Sequence, residues 1–149
     1  MNVGVRPAKP DDLDSLVNVD HVAQQDTRRA DFIKDAIGAD QCAVAETSDR
    51  VVGFIVVSHH FFGHDFVDLL YVATEHRRCG IGGTLMAYAE AGCEAEKLFT
   101  STNLSNRPMQ FLLAKCGYVL SGYIDKLDQG DPELVYMKRI KRPTGGLTG

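Results

Sequence analysis

The spacing of apolar residues divides the chain into stretches with two different periods. Val3-Gly-Val-Arg-Pro reads as a short first strand. Lys9-Pro-Asp-Asp opens a helix with acidic residues in its first turn, where the helix dipole favours them. Leu13, Leu16 and Val17 give that helix one apolar face. A second helix runs from Asp26 to Ile37, with Phe32, Ile33, Ala36 and Ile37 at helical spacing and Gly38 placed to end it. From there the period drops to that of strands. Gln41–Glu46 is a strand, Thr47-Ser-Asp-Arg50 a tight turn and Val51–His60 a long strand, which together predict an antiparallel hairpin. Phe61-Phe-Gly-His-Asp65 is a second turn. Phe66–Ala73 is a β-rich run apolar enough to be read as fully buried.

A glycine-rich loop follows, then a helix from about Gly82 to Glu96 with Leu85, Met86, Ala89 and Cys93 on one side. Leu98–Thr102 is a strand. Asn103-Leu-Ser-Asn-Arg-Pro108 is a loop whose proline suits the first turn of a helix. That helix carries Met109, Leu112, Leu113 and Cys116 and stops at Gly117. Tyr118–Ile124 and Leu134–Arg139 are strands joined by the polar segment Asp125–Glu133. The order is β-α-α-β-β-β-α-β-α-β-β. It predicts an α/β (α+β) fold: a mixed, mostly antiparallel twisted sheet with helices on both faces. At its centre lies a strand–helix–strand crossover whose strands are parallel. Residues 1–140 are read as a single domain. Residues 141–149, with Pro143 and three glycines, are read as a disordered tail.

A chain of 149 residues suits one domain and can bury a core without disulfide or metal staples. Its formal charge of −4 argues against a general nucleic-acid binder, which carries a basic face. Cys42, Cys79, Cys93 and Cys116 show no paired spacing and read as free thiols, with Cys93 and Cys116 as packing residues. The first ten residues lack an apolar signal core, and the longest apolar runs are too short to span a bilayer. The expectation is a cytoplasmic protein with no membrane partner.

The candidate chemistry sits in Thr74-Glu-His-Arg-Arg-Cys-Gly-Ile-Gly-Gly-Thr84, between a strand and a helix. Glycines let the backbone turn tightly and approach a ligand without a β-carbon in the way. The first N–H groups of the following helix have no internal partner, and with the helix dipole they make a pyrophosphate site. Arg77 and Arg78 add positive charge at its mouth. A dinucleotide fingerprint needs a third glycine where Leu85 stands, and an acidic residue where the next strand has Ser101 and Thr102. A nucleotide P-loop needs a lysine before Thr84, where the chain has Gly83. Coenzyme A is the third reading. The plainest alternative is a glycine-rich turn with no ligand.

Arg77-Arg-Cys-Gly-Ile-Gly-Gly resembles the GNAT acetyltransferase pattern Gln/Arg-x-x-Gly-x-Gly/Ala. Asp68-Leu-Leu-Tyr-Val72 looks like the fourth strand of that family. Asn106, with the short helix ending Lys115-Cys-Gly-Tyr118, is similar to its second cofactor-side motif. The order of elements agrees from Val3 to about Lys138. The resemblance implies direct acetyl transfer from acetyl-CoA, as co-substrate, to a primary amine in a ternary complex. The amine could belong to a small molecule or a peptide, and the family leaves room for a homodimer. The resemblance also implies that N–H groups around Arg78, Cys79, Gly80, Ile81, Gly82, Gly83 and Thr84 bind the pyrophosphate. Leu70, Tyr71 and Val72 would contact the pantetheine arm and polarise the thioester carbonyl, and Asn106 would hydrogen-bond the cofactor.

Acetyl transfer requires a neutral amine, although an alkylammonium is mostly protonated at pH 7. It also requires a donor to the thioester oxygen and benefits from a proton for the departing thiolate. Many members of the family supply that proton from a tyrosine four residues before the glycine of the short helix. Here that residue is Leu113, with Tyr118 and Tyr123 nearby in sequence. Asp68 is the first candidate base, followed by Glu46 and His59. Loss of the tyrosine keeps open a second reading, a non-catalytic acyl-CoA-binding sensor of the same fold. No metal is expected, because His59 and His60 are adjacent on a strand and point to opposite faces. Asp125, Asp128, Asp131 and Glu133 read as a solvated turn, with an acidic rim for a cationic amine as the sharper alternative.

Overall fold

The computed structural model describes residues 2–141. The expected disordered tail, apart from Lys141, therefore lies outside the described residues. The elements are β1 (Gly4–Pro7), α1 (Leu13–Val19), α2 (His21–Gln25), α3 (Thr27–Gly38), β2 (Cys42–Glu46), β3 (Val51–Phe61), β4 (His64–Val72), α4 (Ile81–Gly92), β5 (Lys97–Asn103), α5 (Arg107–Lys115), β6 (Val119–Ile124) and β7 (Glu133–Arg139). The strands form one sheet in the order β1-β2-β3-β4-β5-β7-β6. β4 and β5 are parallel, as the crossover requires; the β1–β2, β2–β3, β5–β7 and β6–β7 pairs are antiparallel. The mixed, mostly antiparallel sheet expected from the sequence is therefore present. Among the described residues no helix is long and apolar enough to cross a membrane.

The residues gather into two compact units. Among the described residues, the first holds residues 2–57 and 68–89, the second residues 58–67 and 90–141. In the first, Leu16, Ile33, Ala36, Ile37, Val44 and Phe54 lead a buried cluster into which Leu69 and Tyr71 pack from β4. Asp20 is fully buried at its margin. Its carboxylate accepts from the Val22 and Ala23 N–H groups and from Arg29 Nε at 2.8 Å. This cap creates α2, a helix too short for its periodicity to be read in sequence. Asp26 caps α3 by accepting from the Arg28 N–H. Arg6 joins β1 to its surroundings, with two bonds to the Asp12 carboxylate and two to Glu46. The guanidinium holds the Asp12 carboxyl below the usual carboxylate range.

Gly53 on β3 has a steric duty. A β-carbon there would stand 2.8 Å from the Tyr71 carbonyl oxygen and 3.4 Å from a Leu85 methyl. Only glycine lets β4 and the start of α4 approach β3 this closely. A bulge in the β2–β3 register, between Ala45 and Glu46, lies beside it.

In the second unit, Leu98, Leu113, Tyr118 and Val135 are buried. The β3–β4 connection is tighter than the five-residue turn expected. It uses two residues, Phe62 and Gly63, both with positive φ, which suits the twist of a hairpin. The strands lengthen on either side because Phe61 stacks near Phe66 and Phe99, with ring centroids 4.7 and 5.1 Å away. Two further expectations are corrected. The run from Phe66 to Ala73 is not fully buried: Val67 and Ala73 are, whereas Leu69 to Val72 are half-buried and Asp68 is exposed. The helix α4 ends at Gly92 rather than Glu96.

Gly53→Ala should lower stability by about 1–3 kcal/mol through overpacking against backbone, measured by urea unfolding. Burial, with Asp12 as a second cause, pushes the Cys42 thiol up to about 12. The unfolded thiol ionises first, near its ordinary value of 9.0, so the unfolded state loses its proton while the folded state keeps it. Stability should therefore fall as pH rises above about 9, by about 1.4 kcal/mol per pH unit from this group. Cys42→Ala should flatten that part of the pH–stability curve.

Candidate active site

Unit one contains the whole glycine-rich loop. β4 ends at Val72, and the Ala73 N–H is anchored to the Val52 carbonyl at 2.8 Å. A single 3-10 turn, Thr74–His76, reverses the chain. Arg78 and Gly80 then adopt left-handed backbone, with φ of 63° and 81°. Gly80 does so without strain, whereas Arg78 carries the cost of a β-carbon in that region. The first α-helical bond of α4 runs from the Thr84 N–H to the Gly80 carbonyl at 3.0 Å, and the Thr84 hydroxyl donates to the same oxygen. The N–H groups of Ile81, Gly82 and Gly83 precede that bond and have no helical acceptor of their own. A β-carbon at Gly83 would meet nothing within 4 Å. Its lack of a side chain therefore serves no packing need inside the protein. It leaves open space at a helix start that favours anions.

Arg77 and Arg78, the two charges expected at the mouth of the loop, are both exposed. Arg77 is tied back to β4. Its Nε donates to the Val72 carbonyl at 3.0 Å, and its guanidinium carbon lies 5.3 Å from the centre of the Tyr71 ring. Arg78 is exposed, as is Cys79. Tyr71 is also approached by Arg29, at 5.9 Å, and its hydroxyl oxygen accepts from the His21 N–H at 3.3 Å. The His21 ring lies 3.2 Å from the Thr74 hydroxyl. Sequence reading missed this cluster of Asp20, His21, Arg29 and Thr74 around Tyr71. The partners stand some 50 positions apart in pairs such as His21 and Tyr71, and no local pattern joins them.

The candidate bases Asp68 and Glu46 also belong to the first unit. Asp68 is exposed on β4. Both oxygens of Glu46 accept from Arg6, at 2.9 and 3.2 Å.

Asn106, Leu113 and Tyr118 belong to the second unit. Asn106 is exposed at the start of α5, and its Oδ1 accepts from the Met109 N–H at 3.2 Å. A primary amide keeps two N–H donors that such a cap does not use. Leu113 is fully buried. Tyr118 is 4 % exposed, and its hydroxyl donates to Glu90 at 2.9 Å. Glu90 is also bound by Lys138 Nζ at 3.0 Å. Burial, and then the Glu90 carboxylate, push the Tyr118 phenol above its usual range. His59, the third base candidate, pairs through Nδ1 with the buried Asp65 at 2.9 Å.

A strand leading through a strained, glycine-rich loop into a helix agrees with what comparison with known proteins finds. The acetyltransferase (GNAT) family matches residues 11–118. An acetyltransferase of the GNAT family from Bacillus cereus is 32% identical, with 95% of this chain and 100% of that one covered at a TM-score of 0.89. This chain belongs to the acetyltransferase (GNAT) family. The same fold is found in Ard1 from Thermoplasma volcanium, 19% identical over 95% of this chain and 100% of that one, with a TM-score of 0.82. It recurs in yncA from Salmonella typhimurium, solved with its cofactor acetyl-CoA, at 15% identity over 97% of each chain and a TM-score of 0.80. Comparison with curated proteins finds no match.

Because Gly83 lies in a helix and its side-chain direction is open, Gly83→Ala should stabilise the ligand-free protein, by up to about 1 kcal/mol. Thermal unfolding without ligand checks this; a fall in midpoint would mean that the glycine is needed by the fold.

Proposed function

We propose that this chain is an N-acetyltransferase that moves an acetyl group from acetyl-CoA to a primary amine in a ternary complex. The observation that carries the proposal is the start of α4. There the N–H groups of Ile81, Gly82 and Gly83 precede the first helical bond, beside open space at Gly83. These amides, with the backbone of Arg78, Cys79 and Gly80, suit a pyrophosphate. The acetyl-CoA bound to the Salmonella typhimurium relative is consistent with this. Residues 1–140 are taken as one acetyltransferase domain, since the family match at 11–118 runs through both units.

In the proposed reaction the neutral amine attacks the thioester carbonyl carbon. A C–N bond forms, the C–S bond breaks, and coenzyme A leaves as thiolate. One proton passes from the amine nitrogen to a base. Backbone of Leu70, Tyr71 and Val72 is proposed to face the pantetheine arm, and Asn106 to donate its amide N–H groups to the cofactor. Asp68 is the proposed base. Glu46 is a weaker candidate because Arg6 occupies both of its oxygens. Tyr118 is a poor acid, since its proton is already donated to Glu90 and its pKa is raised. The coenzyme A thiol is acidic enough that its thiolate can leave without a protein donor. Arg77 acts indirectly here, by fixing the end of β4 through the Val72 carbonyl. The second reading, a non-catalytic acyl-CoA sensor, draws on Leu113 being buried where the family often has its tyrosine.

Thermal-shift titration tests the cofactor. Acetyl-CoA at about a hundred times its dissociation constant should stabilise the protein by about 2.7 kcal/mol, and NAD should not. Gly83→Trp should abolish that shift while the variant still unfolds cooperatively. With any accepted amine, release of free coenzyme A thiol excludes the sensor reading. Asp68→Asn should then lower kcat at least tenfold with little change in KM for acetyl-CoA. An unchanged pH–rate profile would remove Asp68 as the base.

A further inference from the structure

Hydrogen-bond donors gather at the end of β4, and the proposed chemistry leaves them unused. Tyr71 stands between Leu70 and Val72, whose backbone is proposed to face the pantetheine arm. Its ring is approached by two guanidinium carbons, Arg77 at 5.3 Å and Arg29 at 5.9 Å. Each arginine donates through Nε alone: Arg29 to Asp20 at 2.8 Å, and Arg77 to the Val72 carbonyl at 3.0 Å. Among the described residues, the terminal nitrogens of both donate no hydrogen bond. The Tyr71 hydroxyl oxygen accepts from the His21 N–H at 3.3 Å, and among the described residues its own proton has no acceptor. Arg77 is exposed, and Tyr71 and Arg29 are half-buried, so a ligand can reach these groups.

What remains unpartnered is all of one kind. A guanidinium has donors and no acceptor, and it stays charged at any working pH. The phenol O–H adds one more donor. Asp20, the carboxylate bound to the cluster, is fully buried, and its oxygens are taken by Arg29 and by the Val22 and Ala23 amides. It offsets the charge of Arg29. Arg77 has no carboxylate partner among the described residues. A surplus positive charge therefore stands beside the proposed reaction centre, in a chain whose formal charge is −4. A guanidinium fork matches the two oxygens of a carboxylate, whereas a second cation would be repelled there. The acidic turn that reads in sequence as a rim for a cationic amine is engaged within its own unit. Asp131 accepts from the Ser105 N–H and hydroxyl, Asp128 from Asn103, and Glu133 from Ser101.

We infer that the amine acceptor carries a carboxylate, as an amino acid does, and that Arg77, Arg29 and the Tyr71 hydroxyl recognise it. The inference rests on the acetyl-transfer reading above and names the class of substrate that it leaves open. Acetylation turns the amino group into an amide, passes one proton to the base and leaves the carboxylate untouched.

Thiol release should be compared for amines matched with and without the carboxylate: phenylalanine and phenethylamine, lysine and cadaverine, β-alanine and ethylamine. In an accepted pair, kcat/KM should be at least about tenfold higher for the carboxylate member, the worth of one hydrogen bond to a charged group. Arg77→Gln keeps a donor for the Val72 carbonyl but removes the charge, so it should cut that preference at least about fivefold. Independently of turnover, the carboxylate member should shift the Nε–H resonances of Arg77 and Arg29 saturably in NMR of the full chain, and its partner amine should not. Equal use of both members of every accepted pair overturns the inference. So does a preference that survives Arg77→Gln while the thermal shift with acetyl-CoA is lost, which would assign the charge to the cofactor. Absence of thiol release with every amine removes the acetyl-transfer reading instead. The NMR titration then decides alone: a saturable shift keeps the carboxylate site, and no shift with any of the three amino acids removes it.

Discussion

The missing side chain of Gly53 is the constraint on which the first unit depends. Because no β-carbon stands at that position, the Tyr71 carbonyl oxygen can come within 2.8 Å of where one would be. That approach fixes the last residues of β4 against β3, and Leu85 and Ile81 of α4 come within van der Waals distance of the same point. The loop from Val72 to Gly80 joins that strand end to the start of α4. Left-handed backbone at Arg78 and Gly80 is the means by which it does so. A steric fact in the sheet interior thus sets the conformation of the residues proposed to meet the cofactor.

A second layer of order comes from charge. Asp20 is buried, yet its carboxylate is satisfied by two amide donors and by Arg29. Such pairs are costly to break, because the survivor remains charged and desolvated. Arg29 also lies near the Tyr71 ring, on which Arg77 approaches as well. The helices before β2 are therefore coupled to the end of β4 by contacts on a single aromatic ring. A change in α2 or α3 can reach the end of β4 without touching the loop itself.

Much of the fold was legible because its strongest signals are periodic. The apolar faces of α1 and α3, the β2–β3 hairpin and the parallel crossover through α4 all follow from spacing and turn residues. The glycine-rich loop was legible for another reason: glycines, a preceding strand and a following helix coincide there. What could not be read was non-local. The helix α2 exists because of one capping carboxylate, not because of five periodic residues. The two-residue Phe62-Gly63 turn depends on Phe61 finding Phe66 and Phe99. Arg77 read as a charge at the mouth of the loop, and nothing in Arg-Arg-Cys-Gly tells that its Nε also bonds the Val72 carbonyl. Likewise, Tyr118 was legible as a tyrosine near a motif, but its commitment to Glu90 depends on a residue 28 positions away.

Beside the exposed charges of Arg77 and Arg78, the loop donors proposed to meet the cofactor are backbone amides. An amide is present whatever side chain a residue carries. Positions such as Arg78, Cys79 and Ile81 can therefore be exchanged in the course of divergence without removing a donor, provided the glycines and the backbone path persist. A recognition surface written in main chain rather than side chains can outlast nearly complete turnover of its sequence.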